Sequence, residues 1–138
     1  MSLVVAGLNH TTAPLPVRER IAFPAKVLGE ALRQLHEALN GAGAVILSTC
    51  NRVEIYLHHS RPECDLSDAA IDFLARFHQI PRAAFAEHTY VHHDHGAAVH
   101  LLRVASSLDS LVVGEAQILG QVHEAYEAAQ AAQTTDKV

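Results

Sequence analysis

A cysteine and an arginine, two positions apart, occupy the end of an apolar segment. The run Ala44–Leu47 is followed by the small polar residues Ser48 and Thr49, then by Cys50, Asn51 and Arg52. A cysteine at a turn after a strand is exposed, and the thiolate of an exposed cysteine attacks carbonyl carbon. The pattern therefore indicates a nucleophile at Cys50. A small apolar filler at a strand end is the alternative that position alone leaves open.

The second cysteine, Cys64, lies between Glu63 and Asp65, and this negative neighbourhood disfavours a thiolate. The two cysteines form no CxxC pair and no disulfide framework. Both are expected to be free thiols.

Histidine is abundant, with 11 in the chain. The run His92, His93, Asp94, His95 contains the residue types that bind zinc. Neighbours on a strand end point in opposite directions, so the run alone does not supply three converging ligands, and a solvated cluster is favoured. His100 lies at the edge of an apolar helical stripe. From the residues alone, a hydrogen-bonded core histidine is the favoured interpretation.

Ser110, Glu115 and Gln117 surround an apolar loop and by themselves resemble helix caps. No GxGxxG or P-loop sequence occurs, and the glycine-containing stretch "GAGAVI" (41–46) precedes a strand instead of following one. The chain is predicted to have no dinucleotide site of its own and no metal site.

The elements that must position these residues follow from hydrophobic periodicity. Leu3–Leu8 predicts a first strand, and residues 9–23 an ordered loop, since Pro14 and Pro16 oppose regular structure. A helix is predicted after Pro24, ending at Asn40-Gly41. A second strand is predicted at 43–47. In the third strand, Val53, Ile55 and Leu57 alternate with outward-facing Glu54, Tyr56 and His58, so this strand is predicted to be half-buried. The two strands are close in sequence and are expected to form an antiparallel hairpin.

A second helix, capped by Asp65 or Ser67 and ended by Pro81, and a strand at 89–92 complete this unit. The order strand, helix, strand, strand, helix, strand predicts an α+β fold, a ferredoxin-like split βαβ antiparallel sheet over roughly residues 1–93. Residues 94–138 predict added C-terminal helices. The first is capped by Asp94 with an apolar stripe of Ala98, Leu101, Leu102 and Ala105. The second starts near Glu115, with a stripe of Ile118, Leu119, Val122, Tyr126 and Ala129.

Composition bounds the functional class. The chain has 138 residues, 49% hydrophobic and 18% charged, which suits one globular domain. No run approaches a membrane span and the N-terminus lacks a basic signal region, so a cytoplasmic protein is expected. A net charge of -5 argues against a general nucleic-acid binder.

Three stretches in order, "GLNHTTAPLPVRERIAF", "ILSTCNRVEIY" and "HLLRVASSLDSLVVGEAQILGQVHEAY", resemble the N-terminal catalytic domain of glutamyl-tRNA reductase. The resemblance covers nearly the whole chain. Ser107 is a departure, because the family usually has glycine before "LDS"; it touches no reactive group.

The resemblance implies an enzyme that reduces glutamyl-tRNA to glutamate-1-semialdehyde with NADPH, the first step of five-carbon tetrapyrrole synthesis. Cys50 would attack the ester carbonyl and hold the glutamyl group as a thioester. His100 would assist the leaving ribose hydroxyl, and Arg52 would grip the substrate carboxylate. The glutamate pocket would be lined by Thr49, Ser110 and Gln117, with Asn51 and Glu115 as weaker matches.

The resemblance also implies an NADPH-binding domain and a dimerisation domain that are absent from this chain, so that the chain alone lacks reductase activity. The whole protein would be a homodimer, with glutamate-1-semialdehyde aminomutase as a possible partner. Two other hypotheses stay open: a histidine-rich metal-binding module, and a non-catalytic ferredoxin-like regulatory domain.

Overall fold

A computed structural model of the protein describes residues 2–60, 65–106 and 117–135. Four strands and five α-helices lie in this part of the chain, in the order β1 Ser2–Asn9, α1 Leu15–Arg20, α2 Ala25–Ala38, β2 Gly43–Ser48, β3 Arg52–His59, α3 Leu66–His78, β4 Tyr90–His93, α4 His95–Ala105 and α5 Gln117–Ala131. Two short 3₁₀ helices, Arg82–Ala84 and Ala86–His88, connect α3 to β4.

The strands form one sheet in the order β2-β3-β1-β4, and all neighbours are antiparallel. This is the split βαβ order, so the predicted fold is confirmed. The predicted hairpin of β2 and β3 is present. In the register of the sheet, Val5 lies opposite Tyr56 on β3 and opposite His92 on β4.

One face of the sheet packs against α2 and α3. Val4, Ala6, Ile55 and Leu57 point to this side and meet the apolar stripes of both helices. Ala31, Leu32 and Leu35 form the stripe of α2, at the spacing of one helical face. The side chain of Asp65 caps α3 by accepting the amides of Ser67 and Asp68.

The opposite face of the sheet is also covered, by α4 and part of α5. Val5, Leu47 and Tyr56 pack there with Ala97 and Val104 of α4 and Ala125 of α5. The prediction that β3 is half-buried is therefore wrong: Glu54 is 0% exposed and Tyr56 8%. Helices α4 and α5 cover the sheet face that was expected to contact solvent, and they form a second apolar layer there.

The predicted stripe of α4 is wrong as well. Ala97, His100 and Val104 face the sheet, whereas Leu102 is 69% exposed and Leu101 lies at the surface. The centre of this sheet face is the carboxylate of Glu54, which requires hydrogen-bond donors, so His100 turns inward in place of the leucines. On α5, Ala125 and Ala129 are buried as their spacing requires, whereas Tyr126 is 47% exposed and does not belong to the buried stripe.

Two smaller predictions are also corrected. Residues 15–20 form α1 instead of loop, because a proline in the first helical turn gives up no internal hydrogen bond. Asp94 precedes α4, but its side chain makes no cap; it accepts the amide of Leu3 at 3.0 Å and so joins the start of α4 to β1.

The edge strand β2 is closed by the chain that follows α5. The carbonyl of Thr134 accepts the amide of Ala44 at 2.7 Å, and its hydroxyl donates to the Ala44 carbonyl at 2.8 Å. Thr134 is 0% exposed. Both backbone groups of one edge residue are thus satisfied by a single threonine.

Candidate active site

Cys50 lies at the tip of the turn between β2 and β3, and it is an exposed free thiol. The turn is closed by Thr49, whose amide donates to the Arg52 carbonyl at 2.8 Å. The hydroxyl oxygen of Thr49 accepts the amides of Asn51 at 3.1 Å and Arg52 at 3.2 Å. A threonine that accepts amides two and three residues ahead builds this kind of turn. The sequence therefore presents Cys50 on a held loop.

A guanidinium contacts the backbone of this turn, and it belongs to Arg18 of α1. Its Nε donates to the carbonyl of Cys50 at 3.2 Å, and its Nη1 donates to the carbonyl of Ala13 at 2.7 Å. In the sequence, Arg18 belongs to the run Arg18, Glu19, Arg20, and such a charge run is usually solvated. Arg18 instead joins the Cys50 turn to the segment before α1.

The guanidinium of Arg52 points away from the turn and into the protein. Its side chain is 1% exposed, and Nη1 lies 3.5 Å from Oε2 of Glu54, whose side chain is 0% exposed. Two opposite charges are therefore buried next to each other on the α4 face of the sheet. Breaking such a pair by removing one member costs about 3–5 kcal/mol.

Glu54 accepts hydrogen bonds from three further side chains. The Tyr56 hydroxyl donates to Oε1 at 2.8 Å, while the Tyr90 hydroxyl and His100 Nε2 contact Oε2. Space for this cluster comes from Gly7, which lies between Glu54 and Tyr90 in the register. A Cβ at Gly7 would lie 3.0 Å from Cγ of Glu54 and 2.2 Å from the Val53 carbonyl oxygen.

These contacts set the protonation states of the cluster. Burial by itself would raise the pKa of Glu54, but the hydrogen bond and charge of His100, together with Tyr90 and Arg52, hold this pKa below its usual range. Burial and the adjacent Glu54 carboxylate raise the pKa of Tyr56 far above its ordinary value. Glu54 is thus an ionised acceptor and Tyr56 a neutral donor at neutral pH.

The orientation of His100 follows from its partner. An ionised carboxylate only accepts, so Nε2 carries the proton that it shares with Glu54. The other ring nitrogen, Nδ1, has no hydrogen-bond partner in the described part of the chain. A buried carboxylate that fixes the tautomer and angle of an imidazole is the arrangement used by histidines that move protons in catalysis.

One end of the sheet gathers these groups. Cys50 lies two residues after the end of β2, Arg52 begins β3, Asn9 ends β1 opposite Arg52, and Tyr90 begins β4. An open cavity of about 410 Å³ lies at this end, between the sheet and α4. Its lining consists of Asn9, Tyr90 and His92 from the sheet and of Gly96, Val99, His100 and Arg103 from α4.

Not all predicted site residues lie in the described part of the chain. Asn51 is half-buried and follows Cys50 in the turn. Gln117 is the first residue of α5, and its side chain lies outside what the structure describes. Ser110 and Glu115, with the departure at Ser107, lie outside the described residues, as does Cys64.

Sequence reasoning missed Glu54. The signal was present: Arg52, Glu54 and Tyr56 alternate along one strand, so they share a face, and their charges and donors complement one another. Treating that face as solvated removed Glu54 from consideration.

Among residues 2–60, 65–106 and 117–135, no group of three or more histidine, cysteine, aspartate or glutamate side chains could hold a metal ion. Within His92–His95, the ring of His92 stacks on His100 with centroids 4.5 Å apart. In the part of the chain described, no helix combines the length and the apolar character that crossing a bilayer requires.

The comparisons with known proteins agree with one another. Residues 6–138 match the family described as glutamyl-tRNAGlu reductase, N-terminal domain. A protein of Thermodesulfovibrio yellowstonii named glutamyl-tRNA reductase is 46% identical over 100% of this chain and 34% of its own length. Another of the same name, from Marinobacter nauticus, is 45% identical over 91% of this chain and 29% of its own length.

A solved structure points the same way. The glutamyl-tRNA reductase of Methanopyrus kandleri superposes with a TM-score of 0.78 at 33% identity, covering 98% of this chain and 30% of that chain. The present chain thus spans about a third of the length of the relatives it matches. On this sequence and structural agreement, the chain belongs to the family of glutamyl-tRNAGlu reductase N-terminal domains.

Proposed function

We propose that the whole protein reduces glutamyl-tRNA to glutamate-1-semialdehyde, the first step of five-carbon tetrapyrrole synthesis, and that this chain performs the acyl transfer. Family membership and the names of the relatives support the substrate and the reaction class. The observation that carries the proposal is the pairing of an exposed Cys50 on a held turn with a buried Glu54–His100 pair at the same end of the sheet.

The transfer proceeds through the side chains of this chain. The Cys50 thiolate attacks the ester carbonyl carbon, a C–S bond forms, and the bond from that carbon to the ribose oxygen breaks. The Cys50 thiol gives up its proton, for which Nδ1 of His100 is the proposed acceptor, and the protonated imidazole then gives a proton to the departing oxygen. The products are a glutamyl thioester on Cys50 and a tRNA with a free 3′-terminal ribose.

Reduction of the thioester needs a hydride, which NADPH supplies in the proposed whole reaction. The described residues do not fit a dinucleotide, because the glycine-containing stretch at 41–46 runs into β2 and, in the part of the chain described, no glycine-rich turn joins a strand to a helix. No reductive step is therefore assigned to residues of this chain. We propose that NADPH is held by another part of the whole protein.

Arg52 is the proposed ligand of the substrate carboxylate, provided that the substrate can reach its buried guanidinium. A guanidinium has five N–H donors and can serve Glu54 and a second carboxylate together. At 1% exposure, Arg52 meets a substrate only if binding uncovers it. Thr49 and Asn51, at the turn, are proposed to line the same subsite. The dimer and aminomutase contacts concern the whole protein and stay predictions.

Acylation of Cys50 tests the proposal directly. The chain is mixed with glutamyl-tRNA, quenched with acid, digested and examined by mass spectrometry. We expect one glutamyl group on the peptide that contains Cys50, which hydroxylamine removes, as it does a thioester. No adduct is expected with Cys50→Ala.

Cys64→Ala is the matched control, since it removes the only other thiol of the sequence. It should acylate like the wild type. A glutamyl adduct that persists in Cys50→Ala, or an unmodified Cys50 when the whole protein turns over, contradicts the proposed nucleophile.

A further inference from the structure

The peptide group that follows Cys50 is hydrogen-bonded at both of its polar atoms. Its carbonyl oxygen, on Cys50, accepts Nε of Arg18 at 3.2 Å. Its amide, on Asn51, donates to the hydroxyl oxygen of Thr49 at 3.1 Å. Because a peptide group is planar, hydrogen bonds at both atoms restrain the whole plane, including the Cα of Cys50. The thiol then moves chiefly by rotation about its Cα–Cβ bond.

Arg18 takes its own position from the sheet. Its Nη1 donates to the carbonyl of Ala13 at 2.7 Å, and the Ala13 amide donates to the carbonyl of Asn9 at 2.9 Å. Asn9 is the last residue of β1, a central strand that pairs with β3 on one side and β4 on the other. Two nitrogens of one planar guanidinium therefore connect the exposed Cys50 turn to a central strand.

The chain around α1 also contacts the other side of the turn. The amide of Phe23 donates to the hydroxyl oxygen of Ser48 at 2.9 Å. Ser48 ends β2, two residues before Cys50. Phe23 is itself fixed by packing, since it is 5% exposed and its ring centroid lies 5.3 Å from that of Phe77. Residues 13–23 thus attach to the turn at two points, one before Cys50 and one at Cys50.

We propose that Arg18 is a positioning residue for the acyl transfer. It restrains the main chain of Cys50 so that the thiol keeps the direction from which it attacks the ester carbonyl carbon. The proposal rests on the proposed function, because it requires Cys50 as the nucleophile. In this role Arg18 acts through the carbonyl of Cys50 and contacts no substrate atom, which distinguishes it from Arg52, the proposed ligand of the substrate carboxylate.

Arg18→Gln should slow acylation of Cys50 at saturating glutamyl-tRNA by about 10- to 100-fold, the loss expected when a reacting group is slightly displaced. The glutamyl-tRNA concentration that gives half of the maximal rate should change little, since Arg18 contacts no substrate atom. The rate is measured by mass spectrometry as adduct on Cys50 against time. Arg20→Gln is the matched control, because it makes the same substitution at an exposed arginine of α1. It should acylate like the wild type.

Two further measurements separate position from charge and from exposure. Arg18→Lys keeps the positive charge but replaces the planar fork with one ammonium nitrogen, so it should stay slow. Alkylation of Cys50 by iodoacetamide, a small reagent that no binding site orients, should change little in Arg18→Gln. Wild-type acylation by Arg18→Lys, or equal slowing of alkylation and acylation in Arg18→Gln, overturns the positioning role.

A measurement on the turn itself keeps this outcome apart from that of the proposed function. With carbon-13 in the Cys50 carbonyl, Arg18→Gln should shift its NMR resonance, and the Asn51 amide should exchange with solvent faster than in the wild type. If the wild type is never acylated, the proposed function fails whatever these signals show. If the wild type is acylated and Arg18→Gln alters neither the signals nor the saturating rate, the function stands and the role of Arg18 is overturned.

Discussion

At the scale of single residues, Glu54 determines how the site is held. It is a carboxylate without exposure, and four side chains of three types point at it: a guanidinium, two phenols and an imidazole. Each of these donors would be costly to bury without an acceptor. The buried carboxylate of Glu54 therefore fixes the position of His100, because both groups need a hydrogen-bond partner once they are removed from water.

Glu54→Gln should slow acylation by glutamyl-tRNA by about 10²-fold or more, in the range of a lost acid–base contribution. An amide has one acceptor oxygen and adds two donors, so it cannot serve the same four partners. The rate is measured as adduct on Cys50 against time. A glutamyl thioester, whose leaving group needs no proton, should lose far less rate than the RNA ester.

Tyr56→Phe is the matched variant, because it removes one donor from Glu54 and leaves His100 in contact. It should retain most of the acylation rate. Equal losses of Glu54→Gln with both leaving groups would show that Glu54 acts only on stability and does not position a proton donor.

At the scale of elements, the close approach of β1 and β3 depends on Gly7. A Cβ there would lie 2.2 Å from the Val53 carbonyl oxygen and 2.8 Å from Glu54 Cα, and both are backbone atoms. Backbone in the centre of a sheet cannot move aside without loosening its ladder. β1 thus carries glycine where it passes the buried carboxylate.

Gly7→Ala should lower the free energy of unfolding by about 1–3 kcal/mol, as overpacking of a core does, and should also reduce acylation. Gly29→Ala is the control in α2, where the added Cβ meets only the Arg33 guanidinium at 3.6 Å. It should raise stability by about 0.5–1 kcal/mol. Urea unfolding of both variants gives the comparison, and a Gly7→Ala variant as stable as the wild type disproves the packing argument.

Sequence periodicity was sufficient for most elements but not for the second layer. The strands, α2, α3 and the hairpin follow from alternation and caps, because those signals are local. The inward face of α4 was not predictable from its leucines, since a polar partner on the sheet decided it. The exposed turn at Cys50 was predicted from the sequence, whereas the contacts of Arg18 with this turn and of Glu54 with His100 join residues that are far apart in the sequence.

At the scale of the whole molecule, the buried charges make stability depend on pH. The pKa of Glu54 is lower in the folded chain than its unfolded value of about 4.3. The unfolded chain therefore binds a proton more readily, and the contribution of Glu54 is present above about pH 4.3 and lost as pH falls through the folded pKa. Burial also lowers the pKa of His78, so its contribution is lost as pH falls below about 6.5.

Urea unfolding between pH 8 and 3 should show both losses. His78→Gln should remove the decline that begins below about pH 6.5 and leave the acid one. Glu54→Gln should be less stable at neutral pH, because the buried Arg52 loses the charge of Glu54, and should decline less in acid. A wild-type curve that is flat across this interval contradicts the assignment of both groups.

The threonine that closes β2 has a consequence for how copies of the protein meet one another. Unpaired backbone on an edge strand is a template for pairing with another chain. Thr134 occupies the amide and carbonyl of Ala44, in the middle of the apolar segment that leads to the Cys50 turn. The opposite edge, β4, is only four residues long and contains two histidines. Both edges of the sheet are therefore poor templates for pairing with a second copy. At β2 the protection comes from Thr134, in the chain that follows α5.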